Sequence, residues 1–452
     1  MKSFTIRQLV EAVGGNYFGD EAALDREIQF VTSDSREAAP GALFVAFVGA
    51  RTDGHRYMTR CLKDGAVCCL SEREPGEDER PCVQVPSTLR AMGALAAWHR
   101  SRFHIPVIGI TGSVGKTTTK EMVASVLSER FNTHKTQKNF NNELGVPQTL
   151  LRLDDANEVS VVEMGISDFG EMRRLTAMVH PTIAVMSVIG DSHLEFLHDH
   201  AGVLRAKGEI FESMGPDDLA ILNGDDETLR AYYPPTRRLT YGLQEGNDFV
   251  AANVENLGAQ GVRCTIRHAG GEFDVHIPAY GVHMVYAALA GAAVGHSLGM
   301  TDEEIARGIA HYQTVGDRAR VLHTPKLTIV SDCYNANPSS TAAAIESLRL
   351  LDGRKVCVLG DMLELGENTA ALHRQVGERA ARAGVELVLC TGELSRSICE
   401  GARSAGGTAL WFPDKDALIS ALPETIRMGD CILVKASHSM AFEDVTKALL
   451  EL

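Results

Sequence analysis

Residues 107–127, VIGITGSVGKTTTKEMVASVL, constrain the fold more than any other stretch of the chain. A short apolar run, 107–110, turns at Gly112 and Gly115 and passes straight into a helix-forming segment from Lys116. A strand feeding a helix through so tight a turn belongs to a parallel α/β arrangement, because the helix must pack back across the sheet. The turn also carries chemistry: its backbone N–H groups and the positive helix end converge where phosphate oxygens bind. Lys116 would reach β- and γ-phosphates and the Thr117 hydroxyl would bind Mg²⁺. Thr111, Gly112, Ser113, Val114, Gly115, Lys116, Thr117 and Thr118 are therefore read as a phosphate-binding stretch. The common loop G-x-x-x-x-G-K-[ST] needs glycine at 110, where this chain has Ile110, so the loop is a variant, T-G-S-x-G-K-T.

The strand–helix alternation extends well beyond this unit. With 452 residues the chain exceeds one ordinary domain, and three are expected. Residues 1–103 alternate β-rich runs (42–47, 66–70) with polar turns and end in an amphipathic helix at 87–102, giving a small α/β domain. A break at His104-Ile105-Pro106 opens a central domain, 104–314. Its buried strands VSVVEMG (159–165), TIAVMSV (182–188) and LAILNGDD (219–226) predict a parallel sheet with helices on both faces. Alternating patterns and glycine turns over 248–278 add a small antiparallel sheet. From 315 to 452 four further runs, LTIVSDCYNANP, KVCVLGDM, VELVLCTGE and DCILVKAS, predict a doubly wound, Rossmann-like domain.

Composition narrows the class of function. A formal charge of −15 argues against a nucleic-acid partner, since phosphate backbones call for a basic surface. The 10 cysteines form no C-x-x-C and sit mostly in apolar runs, which reads as reduced buried thiols and not as disulfides or zinc ligands. No apolar core follows the lysine of MKSFTIRQLVEAVGG, so no secretory signal is expected. Segment 277–301 lacks charged side chains, but its glycines, proline and histidines suit a buried helix better than a membrane span. The expectation is a cytoplasmic, monomeric protein acting on small molecules.

Candidate site residues lie after the strands. Glu163 ends VSVVE, one strand beyond the phosphate loop, and is placed to bind metal. His193, His198 and His200 have a spacing that fits no standard zinc pattern, which leaves His193 with Glu195 as the better functional pair. Lys207 falls on an amphipathic helix, where a lone lysine is usually solvated. Asn139, Asn141 and Asn142 crowd a loop closed by glycine and proline, either as turn formers or as amides facing a polar ligand.

Together, T-G-S-x-G-K-T, N-F-N-N-E-L-G-V-P (139–147), V-V-E-M-G (161–165), H-L-E (193–195), R-A-K-G-E-I-F (205–211) and N-G-D-D (223–226) resemble the Mur ligases of peptidoglycan synthesis, in the family's order. D-C-Y-N-A-N-P-S-S (332–340) and L-G-D-M-L-E-L-G (359–366) with His373 are similar to the members that add D-alanyl-D-alanine. S-D-S-R (33–36), P-G-A-L-F-V-A (40–46) and D-G-H (53–55) resemble the uridine-nucleotide-binding region of those members. The resemblance implies an ATP-dependent amide ligase that activates the carboxylate of UDP-N-acetylmuramoyl-tripeptide as an acyl phosphate for attack by D-Ala-D-Ala. It implies two Mg²⁺ ions on Thr117, Glu163, His193 and Lys207, with Lys207 carried as a carbamate. It further implies that Arg318 bears on the phosphate, and that Asp332, Asn335 and Asn337 reach the nucleotide from the third domain. Asp34, Ser35 and Arg36 would hold the uridine nucleotide, and Asn139 the substrate.

The chain departs from the family pattern in three places. Met284 and Ala287 stand for two asparagines, Ser187-Val188 for Thr-Asn, and Lys435-Ala436-Ser437-His438 for K-G-S-R. A folylpolyglutamate-synthetase-like ligase shares the phosphate loop but not the 33–55 region. A non-catalytic nucleotide-binding scaffold would have no reason to keep Lys116, Glu163, His193 and Lys207 together.

Overall fold

The strands of the computed structural model, which describes residues 1–49 and 52–452, form three large sheets in chain order. The first has five strands in the order Asn16–Phe18, Cys82–Gln84, Cys68–Ser71, Ala42–Val45, Phe30–Thr32. All its pairings are parallel except that of the outer strand Asn16–Phe18.

The central sheet has nine strands, and the phosphate-loop strand Val107–Thr111 lies between Val159–Glu163 and Ile183–Met186. Pairing is parallel from Thr133–Lys135 across to Phe249–Asn256. The antiparallel strands Val262–His268 and Gly271–Ile277 then extend the same sheet, joined to it through the short parallel pairing of Tyr241 and Gly242 with Phe249 and Val250.

Strand alternation divides this sheet between two cores. Val107, Val162, Ala184, Met186 and Leu222 face one side, with the helices Thr88–Ser101, Gly145–Leu150 and Glu171–Val179. That core runs without interruption into Phe4, Ile6 and Leu9, so the helix ending the first expected domain also packs on the second. Ile108, Ile110, Val161, Val185 and Ile221 face the other side, against Lys116–Leu127 and Met284–Ser297. The latter is apolar all round because sheet and helices enclose it; among the described residues no helix is long and apolar enough to cross a membrane.

The third sheet has six strands in the order Arg320–His323, Thr328–Ser331, Asp430–Lys435, Arg354–Leu359, Leu387–Thr391, Ala409–Phe412. The two outermost strands were not expected: each is only four residues long, Arg320–His323 being polar at both ends and the apolar Ala409–Phe412 stopping at Pro413. The last strand inserts beside Thr328–Ser331, making a topological switch point at whose carboxyl end Asp332 and Lys435 meet.

Candidate functional site

A cleft of about 990 Å³ opens where the carboxyl ends of the central strands face the six-stranded sheet. The phosphate loop forms its floor. Gly112 and Gly115 adopt φ of 146° and 81°, and a Cβ at Gly112 would run into Ser187 Oγ. Ser187, in the place of the family's threonine, donates from Oγ to Val114 O at 2.5 Å. Ser113 Oγ donates to Gly190 O (3.1 Å) and accepts from Gly190 N (2.9 Å), lashing the loop to the next strand end. Lys116 Nζ donates to Gly112 O at 2.9 Å, curled back over its own loop. Burial pushes its pKa down, Glu163 pulls it up and Arg318 pushes it down further.

Glu163 is buried and surrounded by donors. Thr117 Oγ1 lies 3.0 and 2.9 Å from its two oxygens, and Asn141 Nδ2 donates to Oε1 at 2.9 Å. Behind it, the fully buried Lys120 approaches Glu163 Oε2 to 3.9 Å and Glu121 Oε1 to 2.7 Å, and donates to Thr136 O at 2.9 Å. The Thr117 hydroxyl and the Glu163 carboxylate thus converge on one point beside the loop, an oxygen donor pair suited to Mg²⁺.

His193 lies on the opposite wall at φ 55°. Its Nδ1 contacts Glu364 Oε2, across from the six-stranded sheet, at 2.5 Å. That carboxylate assigns the proton to Nδ1 and leaves the Nε2 lone pair free, the arrangement seen in metal-ligating histidines. Burial, then Lys207, lowers the His193 pKa, and Glu364 raises it. Lys207 is fully buried and its Nζ has no hydrogen-bond partner among the described residues. Burial, with Lys116 adding to it, holds this amine well below the usual lysine range. A neutral, orphaned amine is the form that adds CO₂, so Lys207 fits a carbamate.

The six-stranded sheet supplies the remaining wall. Arg318 stacks its guanidinium 3.5 Å from the Tyr334 ring centroid. Asp332 accepts from Lys435 Nζ (2.5 Å) and Ala319 N (3.1 Å), so its carboxylate is fixed by buried Lys435 before any ligand arrives. Asn337 caps the helix Pro338–Leu348, accepting from Ser340 N at 2.8 Å, and Asn335 Oδ1 accepts from Ala336 N at 2.9 Å. The Nδ2 groups of these two asparagines are left for a ligand. The two sheets are bridged again by Ser339 Oγ, which donates to Asp191 Oδ2 at 3.0 Å; Asp191 Oδ1 contacts His200 Nε2 at 2.9 Å.

Other expected residues lie elsewhere. Asn139 is exposed and outside the cleft lining; the loop turns so that Asn141 and Asn142 line it instead. Glu195 is exposed, and the partner His193 finds is Glu364. Asp34, Ser35 and Arg36 also lie outside the cleft, with Arg36 NH2 paired to Asp34 Oδ2 at 2.5 Å and its guanidinium holding that carboxyl down. Met284 and Ala287, in the place of two asparagines, make one end of the cleft apolar beside Tyr286, whose hydroxyl donates to Asp225 Oδ2 at 3.0 Å. Sequence reasoning assigned no role to Asn141 as a Glu163 partner, to Glu364 or to Asp225; the crowded loop signalled the first, and the motifs at 359–366 and 223–226 contained the other two.

Comparison with known proteins covers the whole chain. Residues 27–100, 110–295 and 317–438 match the profiles described as Mur ligase family, catalytic domain; Mur ligase middle domain; and Mur ligase, glutamate ligase domain. UDP-N-acetylmuramoyl-tripeptide–D-alanyl-D-alanine ligase of Escherichia coli (strain K12) is 37% identical over 100% of this chain and 99% of its own length. The MurF crystal structure from Acinetobacter baumannii is 30% identical with a TM-score of 0.91, each chain covered at 100%. MurF ligase from Thermotoga maritima in complex with ADP is 28% identical with a TM-score of 0.84, covering 94% of this chain and 97% of its own.

Proposed function

The chain belongs to the Mur ligase family, and we propose that it is the ATP-dependent ligase joining D-alanyl-D-alanine to UDP-N-acetylmuramoyl-tripeptide, a step of peptidoglycan synthesis. The observation that carries this reading is the meeting of the phosphate loop, Glu163 and His193 at a cleft faced by the six-stranded sheet, with the orphaned Lys207 buried near enough to His193 to lower its pKa. A folate-adding ligase is not favoured by relatives that match along the full chain.

A carboxylate is a poor electrophile. Transfer of the ATP γ-phosphoryl group to the tripeptide carboxylate makes it an acyl phosphate. The D-Ala-D-Ala amine then attacks, the C–N bond forms, and phosphate leaves with the C–O electron pair. The protein's work is positioning and charge compensation. The loop amides and Lys116 hold the β- and γ-phosphates. Arg318, held flat on Tyr334 and without a carboxylate partner among the described residues, presents its N–H donors to the moving phosphoryl oxygens. Asp332, oriented by Lys435, and the Nδ2 groups of Asn335 and Asn337 hold the nucleotide from the opposite wall.

Thr117 and Glu163 would hold one Mg²⁺, and His193 Nε2 with a carbamate on Lys207 a second. Bound there, the ions would neutralise phosphate oxygens and polarise the phosphoryl group. A carbamate would supply an anionic ligand where a bare ammonium would repel the cation. Asp34, Ser35 and Arg36 would hold the uridine nucleotide at the edge of the first sheet. The ten cysteines are free and buried, which supports a reducing, cytoplasmic setting.

The test is phosphate release by purified protein with ATP, Mg²⁺, D-Ala-D-Ala and lysine- or diaminopimelate-type UDP-N-acetylmuramoyl-tripeptide in turn. Release that requires both peptide partners and disappears in Lys116→Ala supports the reading. ATP binding with no release on either tripeptide overturns it.

A further inference from the structure

Far from the cleft, two imidazoles and a carboxylate converge at the outer end of the central sheet. His268 ends the hairpin strand Val262–His268, His296 lies in the last turn of the helix Met284–Ser297, and Asp302 begins the helix Asp302–Ala310. His296 Nε2 is 2.8 Å and His268 Nε2 3.3 Å from the same oxygen, Asp302 Oδ1. One ligand atom from each of the three residues lies within 4.8 Å of the others. The His268 side chain is only 7% exposed, yet its Nε2, though near Asp302 Oδ1, makes no aligned hydrogen bond among the described residues. Its ring stacks on Phe249 with 10° between planes, which fixes the direction in which Nε2 points. We infer that His268, His296 and Asp302 form a second cation site, selective for a borderline transition ion such as Zn²⁺.

Ligand chemistry decides the class of ion. Two neutral imidazoles and one carboxylate suit Zn²⁺, Co²⁺ or Ni²⁺, whereas Mg²⁺ prefers oxygen ligands in a near-ideal octahedron. Bonds of about 2.0–2.1 Å in a tetrahedron place ligand atoms roughly 3.3 Å apart. The His268–Asp302 spacing already meets that value, and the His296–Asp302 pair needs to open by about half an ångström. Gly270 N donates to His268 Nδ1 at 3.1 Å, so an entering ion displaces the Nε2 proton and hands that exposed turn amide to water. Asp302 and His296 keep 31% and 27% of their side chains exposed, which leaves an entry path and an open coordination position. The site sits some 13 residues along the helix from His283 on the cleft wall, roughly 20 Å at 1.5 Å per residue, so it is separate from the phosphate chemistry. An ion there clamps the hairpin to two helices that begin and end beside it.

The experiment titrates Zn²⁺ into the full-length protein by equilibrium dialysis, with Mg²⁺ and ADP in excess to occupy the cleft, and repeats the titration with Co²⁺ read by visible absorption. Expected are one ion per chain that Mg²⁺ does not displace, a Zn²⁺-dependent rise in melting temperature, and affinity at least tenfold weaker in His268→Asn and in His296→Gln. Ligase activity with Mg²⁺ stays unchanged in both variants, which shows that they are folded. Equal affinity in wild type and both variants, or no ion bound at roughly 100 μM free Zn²⁺, well above the micromolar range, would overturn the assignment.

Discussion

Replacing Lys207 with methionine should make the protein more stable and inactive at once. The amine is fully buried, unpartnered and disfavoured further by Lys116. Methionine keeps the unbranched length and removes the orphaned donor, whose burial costs about 1–3 kcal/mol. At about 2–4 °C per kcal/mol for a unit of this size, melting should rise by roughly 2–12 °C in CO₂-stripped buffer with EDTA. The sign with pH follows from the depressed pKa. Between the folded value and the ordinary ~10.4 the unfolded chain binds the extra proton, so wild-type stability climbs with pH by up to about 1.4 kcal/mol per unit. The variant lacks this climb, so its advantage is largest near neutrality and shrinks toward pH 10. Phosphate release with both substrates and bicarbonate should fall by at least ~10²-fold, the scale of losing a group that compensates charge at the reacting centre. A carbamate resonance from ¹³CO₂ should be present in wild type and absent in Lys207→Met. A lower melting temperature at pH 7, or full activity, would refute the reasoning.

Thr117→Val removes the hydroxyl that meets both Glu163 oxygens, and the rate should drop by about 10²-fold at saturating Mg²⁺, while Thr117→Ser retains most of it; phosphate release against Mg²⁺ concentration checks this. Lys120→Met takes the buried cation from beside Glu163 and leaves Glu121 with Lys135 alone, and chemical denaturation should show a loss of up to about 3–5 kcal/mol together with a higher Mg²⁺ requirement. Ser339→Ala cuts the bridge to Asp191 and should raise the KM for ATP by roughly 2–10-fold with kcat little changed, matching one hydrogen bond of about 0.5–1.5 kcal/mol. Burial lowers His99 and His134 to about 4, so both stay neutral in the fold. Stability should then fall as pH drops from about 6.5 to about 4, by about 3 kcal/mol for each histidine, and His99→Gln should remove one share of that acid loss in pH-dependent melts.

The phosphate loop and Glu163 were legible because both belong to local patterns: a strand ending in glycine, and a carboxylate at the end of an apolar run. Lys207 was not legible from its helix alone, where a lysine is ordinarily solvated; only the resemblance marked it, and its burial is a matter of tertiary packing. Glu364, Lys435 and Ser339 act by pairing with residues more than 100 positions away, and nothing in the pattern around them encodes such pairings. Asn139 and Asn141 differ by a turn of the loop, which only the pairing of Asn141 with Glu163 decides. The edge strands Arg320–His323 and Ala409–Phe412 escaped notice because each is only four residues long, the first polar at both ends and the second apolar but too short to be told from a loop.

The most direct test of the ligase account follows the oxygen. Tripeptide substrate labelled with ¹⁸O in its terminal carboxylate is turned over with ATP and D-Ala-D-Ala, and the released phosphate is analysed by mass. The account predicts one ¹⁸O per phosphate, carried over when the amine expels phosphate from the activated carboxylate. Phosphate free of label, formed alongside product, would contradict activation of the carboxylate by phosphoryl transfer.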